Sequence, residues 1–167
     1  MVVKRCRQFA GKQQQDAQEF LMVMLAQLSE FKLVFSGICK SIVTCLSCCH
    51  HSPKEDTFNC LLLEIPPSDS RSAVSLQDCL KQSFAEETIP DGWQCNSCGD
   101  QNAAVKKESL LLHLTELLII QLKRFKPTLR GYVKDNSAVS LPKDELLLMN
   151  RKYQLVGLVN HCGSMVL

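Results

Sequence analysis

The sequence predicts an α+β fold, one amphipathic helix followed by mostly antiparallel strands. Three observations carry this. Ala17, Phe20, Leu21, Met24, Leu25 and Leu28 recur at i, i+3, i+4, i+7, i+8 and i+11, a single apolar stripe at helical period. From residue 33 onward, β-branched residues collect in short stretches between turn signals. Two Cys-x-x-Cys pairs, Cys45/Cys48 and Cys95/Cys98, lie 46 residues apart, so a helix and strand must fold between them.

The elements follow in order. Asp16 and Glu19 have the spacing of a capping pair, which starts the helix near Asp16 and carries it to about Ser29 or Lys32. Ile38, Ile42 and Val43 with Thr44 favour a strand, and Gly37 marks a turn or bulge before it. Residues 57–65 read as another strand, stopped by Pro66-Pro67. Ser75 with Asp78 three residues on opens a short helix with Leu76, Cys79, Leu80 and Phe84 on one face. Pro90-Asp91-Gly92 is a turn leading to Trp93. Within 110–125, Ile119-Ile120 and the following Lys126-Pro127 favour a buried strand from about Leu117. Residues 128–137 look weakly ordered, and 153–160 read as a last strand.

Composition narrows the class. At 167 residues, 46% apolar and 22% charged, the chain has one domain's length and an ordinary globular balance. A net charge of +2 gives no electrostatic case for a nucleic-acid or membrane-surface binder. The longest apolar run, 20–26, falls far below the ~18 residues of a membrane helix. The N-terminus lacks a hydrophobic core of signal-peptide length, so the expected localisation is cytoplasmic and/or nuclear.

Ten cysteines in such a chain call for an explanation. Cytosolic thiols stay reduced, so a disulfide framework is disfavoured. Each Cys-x-x-Cys can curl into a knuckle that aims two thiolates at one point, and two knuckles complete a tetrahedral sulfur site suited to structural Zn2+. Cys45, Cys48, Cys95 and Cys98 are the expected ligands, with Gly99 permitting the second tight turn. A redox pair and core thiols of accidental spacing are the alternatives, and Cys49, His50 and His51 stand near enough to substitute as ligands. A four-thiolate site is closed, so the zinc is structural rather than catalytic.

Several segments together resemble the ubiquitin-specific proteases, papain-like cysteine deubiquitinases. Gln14-Gln15-Asp16-Ala17-Gln18-Glu19-Phe20-Leu21 resembles the family's QQDAxEFL box. Phe35-Ser36-Gly37 and the first knuckle resemble its F-x-G…C-x-x-C segment, and Trp93-Gln94 before Cys95 and Leu122-Lys123-Arg124-Phe125 follow in the family's order. Tyr153-Gln154-Leu155-Val156-Gly157-Leu158-Val159-Asn160-His161-Cys162-Gly163 resembles the approach to its catalytic histidine. The resemblance implies a partial papain-like fold of the ubiquitin-specific protease type. In it, 1–32 is a remnant of the thumb carrying the QQDAxEFL helix, and 33–167 forms fingers and palm with zinc knuckles at 45–48 and 95–98. It also implies ubiquitin or a ubiquitinated protein as partner, with Gln14, Asp16 and Glu19 holding ubiquitin's basic tail. Asp16 alternatively does no more than cap the helix. Phe20, Leu21 and Phe125 are expected in the core.

The departures bear on activity. The 13 residues before Gln14 contain no Gly-Asn-Thr-Cys type nucleophile box, and no Gly-His-Tyr motif follows Gly163. The expectation is a domain truncated at both ends, with no catalytic residue of its own. Cys162 and His161 are strand neighbours that point to opposite faces, so they do not make a nucleophile–base pair. Cys6, among Lys4, Arg5 and Arg7, reads as an exposed thiol. Thr115 stands where the family usually has Pro. The reading of a different class is a non-catalytic ubiquitin-binding or scaffold module. A nucleic-acid-binding ribbon is poorer, since Lys and Arg do not cluster at the knuckles. The uncovered helix stripe and sheet edges predict marginal stability or aggregation.

Overall fold

A computed structural model describes residues 9, 17–27, 34–67, 73–129 and 131–160. Helix α1, Ala17–Leu25, forms where the stripe predicts, but none of its residues is buried. Phe20 is 42% exposed, touching Phe9 edge-on with ring centroids 5.2 Å apart. Phe20 and Leu21 are therefore not core residues, because among the described residues no element covers the stripe. The helix is shorter than expected: it ends at Leu25 rather than at Ser29 or Lys32, and Ala26 and Gln27 form a turn in which the Gln27 amide donates to the Met24 carbonyl at 3.2 Å. The predicted cap at Asp16 lies outside the described residues.

A four-stranded antiparallel sheet follows, ordered β2-β1-β6-β5, from β1 (Gly37–Cys45), β2 (His51–Phe58), β5 (Glu87–Trp93) and β6 (Ala103–His113). Gly37 pairs with Phe58, whose ring lies where a Cβ would stand, and the His113 carbonyl would be 2.7 Å from it. Glycine is required there by close approach, and the expected bulge follows at Ile38/Cys39. The Pro90-Asp91-Gly92 turn is taken up inside β5 as an irregularity between Ile89 and Trp93, with Gly92 at φ 87°. Both outer strands carry a proline, Pro53 in β2 and Pro90 in β5, where a missing N–H breaks no interior ladder.

The second body is an apolar core. The stretch 57–65 is not one strand: β2 ends at Phe58, and β3, Leu61–Leu63, pairs in parallel with β7, Ile120–Leu122. The strand expected from about Leu117 thus starts later, and Leu117 is exposed. Helix α2, Leu76–Ser83, opens on the expected capping box: Ser75 Oγ accepts from the Asp78 amide, and the Asp78 carboxylate accepts from the Ser75 amide. Such a box contributes about 1 kcal/mol. Its apolar face, Leu76, Cys79 and Leu80, packs with Leu61, Leu63, Val74 and Leu146. Short β4 (Val74–Ser75) pairs in parallel with β10 (Val139–Ser140), and β11 (Leu146–Leu148) pairs antiparallel with β12 (Arg151–Tyr153).

The stretch 128–137 contributes to a hairpin of β8 (Phe125–Thr128) and β9 (Gly131–Lys134). Its neck is tied by Arg124, which donates to the carbonyls of Asp135 at 3.1 Å and Ser137 at 2.8 Å, and by Lys126 paired with Asp135 at 2.9 Å. The last strand ends at Tyr153; residues 154–160 have no ladder partner among the described residues and are exposed. Phe125, at the start of β8, is half-buried and is not among the core residues. Among the described residues no helix is long and apolar enough to cross a membrane.

Candidate metal centre

The sheet carries its knuckles at one end. Cys45 ends β1 and Cys48 lies in the turn to β2, while the β5–β6 connection holds Cys95 and Cys98. The two turns repeat one pattern of backbone bonds. The Cys45 amide donates to the His50 carbonyl at 3.0 Å, and the Cys95 amide donates to the Asp100 carbonyl at 2.8 Å. The amides of Cys49 and Gly99 each donate back to the first cysteine of their pair at 2.9 Å. Both residues are left-handed, Gly99 at φ 77° and Cys49 at φ 57°. That conformation costs glycine nothing and a side-chain-bearing residue about 1–2 kcal/mol.

The four sulfurs converge. Cys45 and Cys98 stand 4.0 Å apart, Cys48 and Cys95 3.7 Å apart, and all four ligand atoms lie within 4.8 Å of one another. A disulfide needs about 2.05 Å, so none is formed here. A tetrahedron of sulfurs about 2.3 Å from a central Zn2+ has edges of about 3.8 Å. The donor set therefore fits a tetrahedral thiophilic cation, and it can hold a metal ion. Cys45 and Cys95 are buried with Ala103, while Cys48 and Cys98 face outward. Ser47 reaches across to Asp100 at 3.4 Å, and the Leu46 amide donates to Ala104 at 2.9 Å, so polar contacts join the knuckles to each other and to the sheet.

Electrostatics also favour a cation. The amides of Cys98 and Ser97 point at the Cys95 sulfur and hold its thiol down at about 7. The His50 amide does the same for Cys48, but desolvation and the facing thiols of Cys98, Cys45 and Cys95 outweigh it and push Cys48 up to about 12. Four thiols in contact do not all ionise on their own, and a divalent ion at their centre removes that obstacle. The alternative ligands do not join: Cys49 is outside the four-sulfur group, and His51 Nδ1 is engaged with Thr44 Oγ1 at 2.9 Å.

The other site residues fare differently. Gln14 and Asp16 lie outside the described residues, as do Cys6, His161 and Cys162. Glu19 sits in the first turn of α1 and is exposed. Lys123 of the Leu-Lys-Arg-Phe segment pairs with Glu64 at 2.7 Å, and Arg124 ties the hairpin neck, so both support the core. Thr115 is 1% exposed; its carbonyl accepts from Arg151 at 3.0 Å and Tyr153 at 2.6 Å while its hydroxyl has no partner. The Ser47–Asp100 contact adds a link that the cysteine spacing does not specify; its signal in the sequence is the acid directly after Cys-x-x-Cys-Gly.

A helix, a knuckled sheet and a core in this order match known proteins. The family model described as ubiquitin carboxyl-terminal hydrolase matches residues 1–166. The chain belongs to the ubiquitin carboxyl-terminal hydrolase family. A probable ubiquitin carboxyl-terminal hydrolase of Acanthamoeba polyphaga mimivirus is 31% identical over 148 residues, 79% of this chain and 31% of that protein. Ubiquitin carboxyl-terminal hydrolase 36 of Drosophila melanogaster is 30% identical over 189 residues, 95% of this chain and 18% of that protein. Among solved structures, the SAGA Ubp8/Sgf11/Sus1/Sgf73 DUB module bound to ubiquitin aldehyde matches with a TM-score of 0.67 at 26% identity, over 84% of this chain and 34% of that one. The chain thus spans about a third or less of the length of these hydrolases. Its α+β fold is part of the ubiquitin-specific protease fold, with four clustered cysteines placed to form a ribbon.

Proposed function

We propose that these residues form the fingers and palm (33–167) and part of the thumb (1–32) of a thiol-dependent deubiquitinase, with structural Zn2+ held by Cys45, Cys48, Cys95 and Cys98. The observation that carries the reading is the four-sulfur cluster at the end of the β2-β1-β6-β5 sheet in a chain of this family. The ion would supply a cross-link between two turns 46 residues apart in sequence and no reactive position. It would hold the distal end of the sheet as a rigid surface for ubiquitin. Ubiquitin is the partner in two DUB-module structures that the chain resembles, one bound to ubiquitin aldehyde and the other to monoubiquitin.

The parent reaction is hydrolysis of the bond after ubiquitin's C-terminal glycine. It needs a nucleophilic thiolate with a base in hydrogen-bond reach, and no cysteine here matches the family's nucleophile box. The role of these residues is therefore to bind and position. Gln14, Asp16 and Glu19 are the contacts for the basic tail, since carboxylates at a helix start attract arginine. Neither nucleic acid nor membrane is a partner in this reading, and the site of action is the cytoplasm and/or nucleus. Two measurements test it. Titrating ubiquitin into the zinc-loaded chain should give saturable binding that Asp16→Ala abolishes; no binding at high micromolar ubiquitin would refute it. A ubiquitin C-terminal fluorogenic substrate should not turn over, and turnover lost on thiol alkylation would overturn the assignment of a purely binding role.

A further inference from the structure

Four thiols can be joined in pairs in three ways, and the knuckles single out one of them. Both sulfur–sulfur hydrogen bonds cross between the turns, Cys48 with Cys95 at 3.7 Å and Cys45 with Cys98 at 4.0 Å. Among the described residues none forms within either Cys-x-x-Cys. The crossing pairs also divide by exposure. Each joins an outward residue, Cys48 or Cys98, to a buried one of the opposite knuckle, Cys95 or Cys45.

That division separates the two roles that thiol oxidation needs. An oxidant must reach one sulfur, and a second sulfur must stand beside it to capture the oxidised product. Here the outward member of each pair is accessible and its buried partner is already in contact. Closing either pair to a bond of about 2.05 Å moves each sulfur by only about 1 Å. Cys49 is the poorer partner for Cys48: it is the next residue in the chain and makes no sulfur–sulfur hydrogen bond among the described residues. Pairing across the turns also keeps the two connections tied to each other, which pairing within each Cys-x-x-Cys would not.

We propose that this centre is a reversible oxidation site for hydroperoxides, in which disulfides Cys48–Cys95 and Cys45–Cys98 take the place of the bound ion. The inference rests on the metal reading above. The Cys48 thiolate attacks a peroxide oxygen and breaks the O–O bond, becoming a sulfenic acid; the hydroxide released takes a proton and leaves as water. The Cys95 thiolate then attacks the Cys48 sulfur, the S–S bond forms, and a second hydroxide leaves as water with a second proton. Cys98 and Cys45 repeat the sequence. Two hydrogen peroxide molecules are thereby reduced to four waters as four thiolates become two disulfides. The divalent ion is released with its donors gone, and a dithiol reductant reverses the change.

Hydrogen peroxide added to the zinc-loaded chain tests this, read by a colorimetric zinc indicator and by non-reducing peptide mapping. Zinc should be released in step with the loss of four thiols, and a dithiol with added zinc should restore both. Peptides carrying Cys45 and Cys48 should be cross-linked to those carrying Cys95 and Cys98, and Cys49→Ser should give the same map. Cys48→Ser with Cys95→Ser keeps one contacting pair and should still cross-link. Cys48→Ser with Cys98→Ser keeps only the two buried sulfurs, which share no hydrogen bond, and should not. Disulfides within the Cys-x-x-Cys pairs, sulfinic acids in place of disulfides, or Cys49 in the cross-link would overturn the inference and leave the metal reading standing. A chain that holds no zinc before peroxide is added would refute the metal reading itself, and the inference with it.

Discussion

Replacing Cys95 by Ser probes the metal centre where its chemistry is strongest. Cys95 is 2% exposed, and the amides of Cys98 and Ser97 hold its thiol down at about 7, which favours the thiolate that a metal binds. A structural zinc contributes roughly 10–16 kcal/mol of apparent folding free energy, so one of four ligands corresponds to roughly 3–4 kcal/mol. At about 2–4 °C per kcal/mol for a chain of this size, Tm should fall on the order of 10 °C. The loss should disappear when the wild type is stripped with a chelator, since both proteins then lack the cross-link. Cys49→Ser is the matched control: it removes an exposed neighbouring sulfur outside the four-thiol group. Differential scanning calorimetry with and without chelator reads all six states. Equal losses in Cys95→Ser and Cys49→Ser, or a Cys95→Ser loss that persists in chelator, would refute the assignment of Cys95 as a ligand.

Three further outcomes are expected. Cys49→Gly removes a side chain from a left-handed residue at φ 57° and makes the first knuckle match the second; Tm should rise by the equivalent of about 1 kcal/mol, and a fall would contradict the paired-knuckle geometry. Thr115→Val replaces a buried hydroxyl that has no partner, whose burial costs about 1–3 kcal/mol, so chemical denaturation should show a gain of that order. Destabilisation would instead mean that the hydroxyl is bonded. Asp135 is held below the usual carboxylate range by the Ser137 hydroxyl, with Lys126 and the Ser137 amide adding to it. A depressed folded-state pKa contributes stability above the unfolded value of about 3.9 and loses it as pH falls further. The stability gap between wild type and Asp135→Asn should therefore be constant from neutrality to about pH 5 and close below about pH 4, whereas a gap independent of pH would remove Asp135 from the hairpin neck.

Local signals were legible wherever one short motif decides the structure. The Ser75/Asp78 capping box, the Gly37 bulge and both knuckles form as their residues dictate, because each is settled within a few positions or by a ligand that demands fixed geometry. Strands whose partners are distant were harder to read. β2, His-Ser-Pro-Lys-Glu-Asp-Thr-Phe, is polar along its length and holds a proline; it is a strand because β1 pairs with it at the sheet edge, not because it buries a face. β6 alternates poorly because both faces of its sheet are only partly covered. The break at Asn59-Cys60 separates an antiparallel neighbour, β1, from a parallel one, β7, which hydropathy does not register. The stretch 153–160 has every local mark of a strand, yet a strand also needs a partner, and beyond Tyr153, which pairs with Leu146, none is present among the described residues. The α1 stripe likewise states that a face is apolar without stating what covers it.

Native mass spectrometry of the folded chain, combined with thiol alkylation, examines the metal centre most directly. One zinc per chain should be retained, with Cys45, Cys48, Cys95 and Cys98 protected until chelator is added and exposed Cys49 labelled throughout. Folded material without metal, its four convergent thiols alkylated as fast as Cys49, would contradict the account.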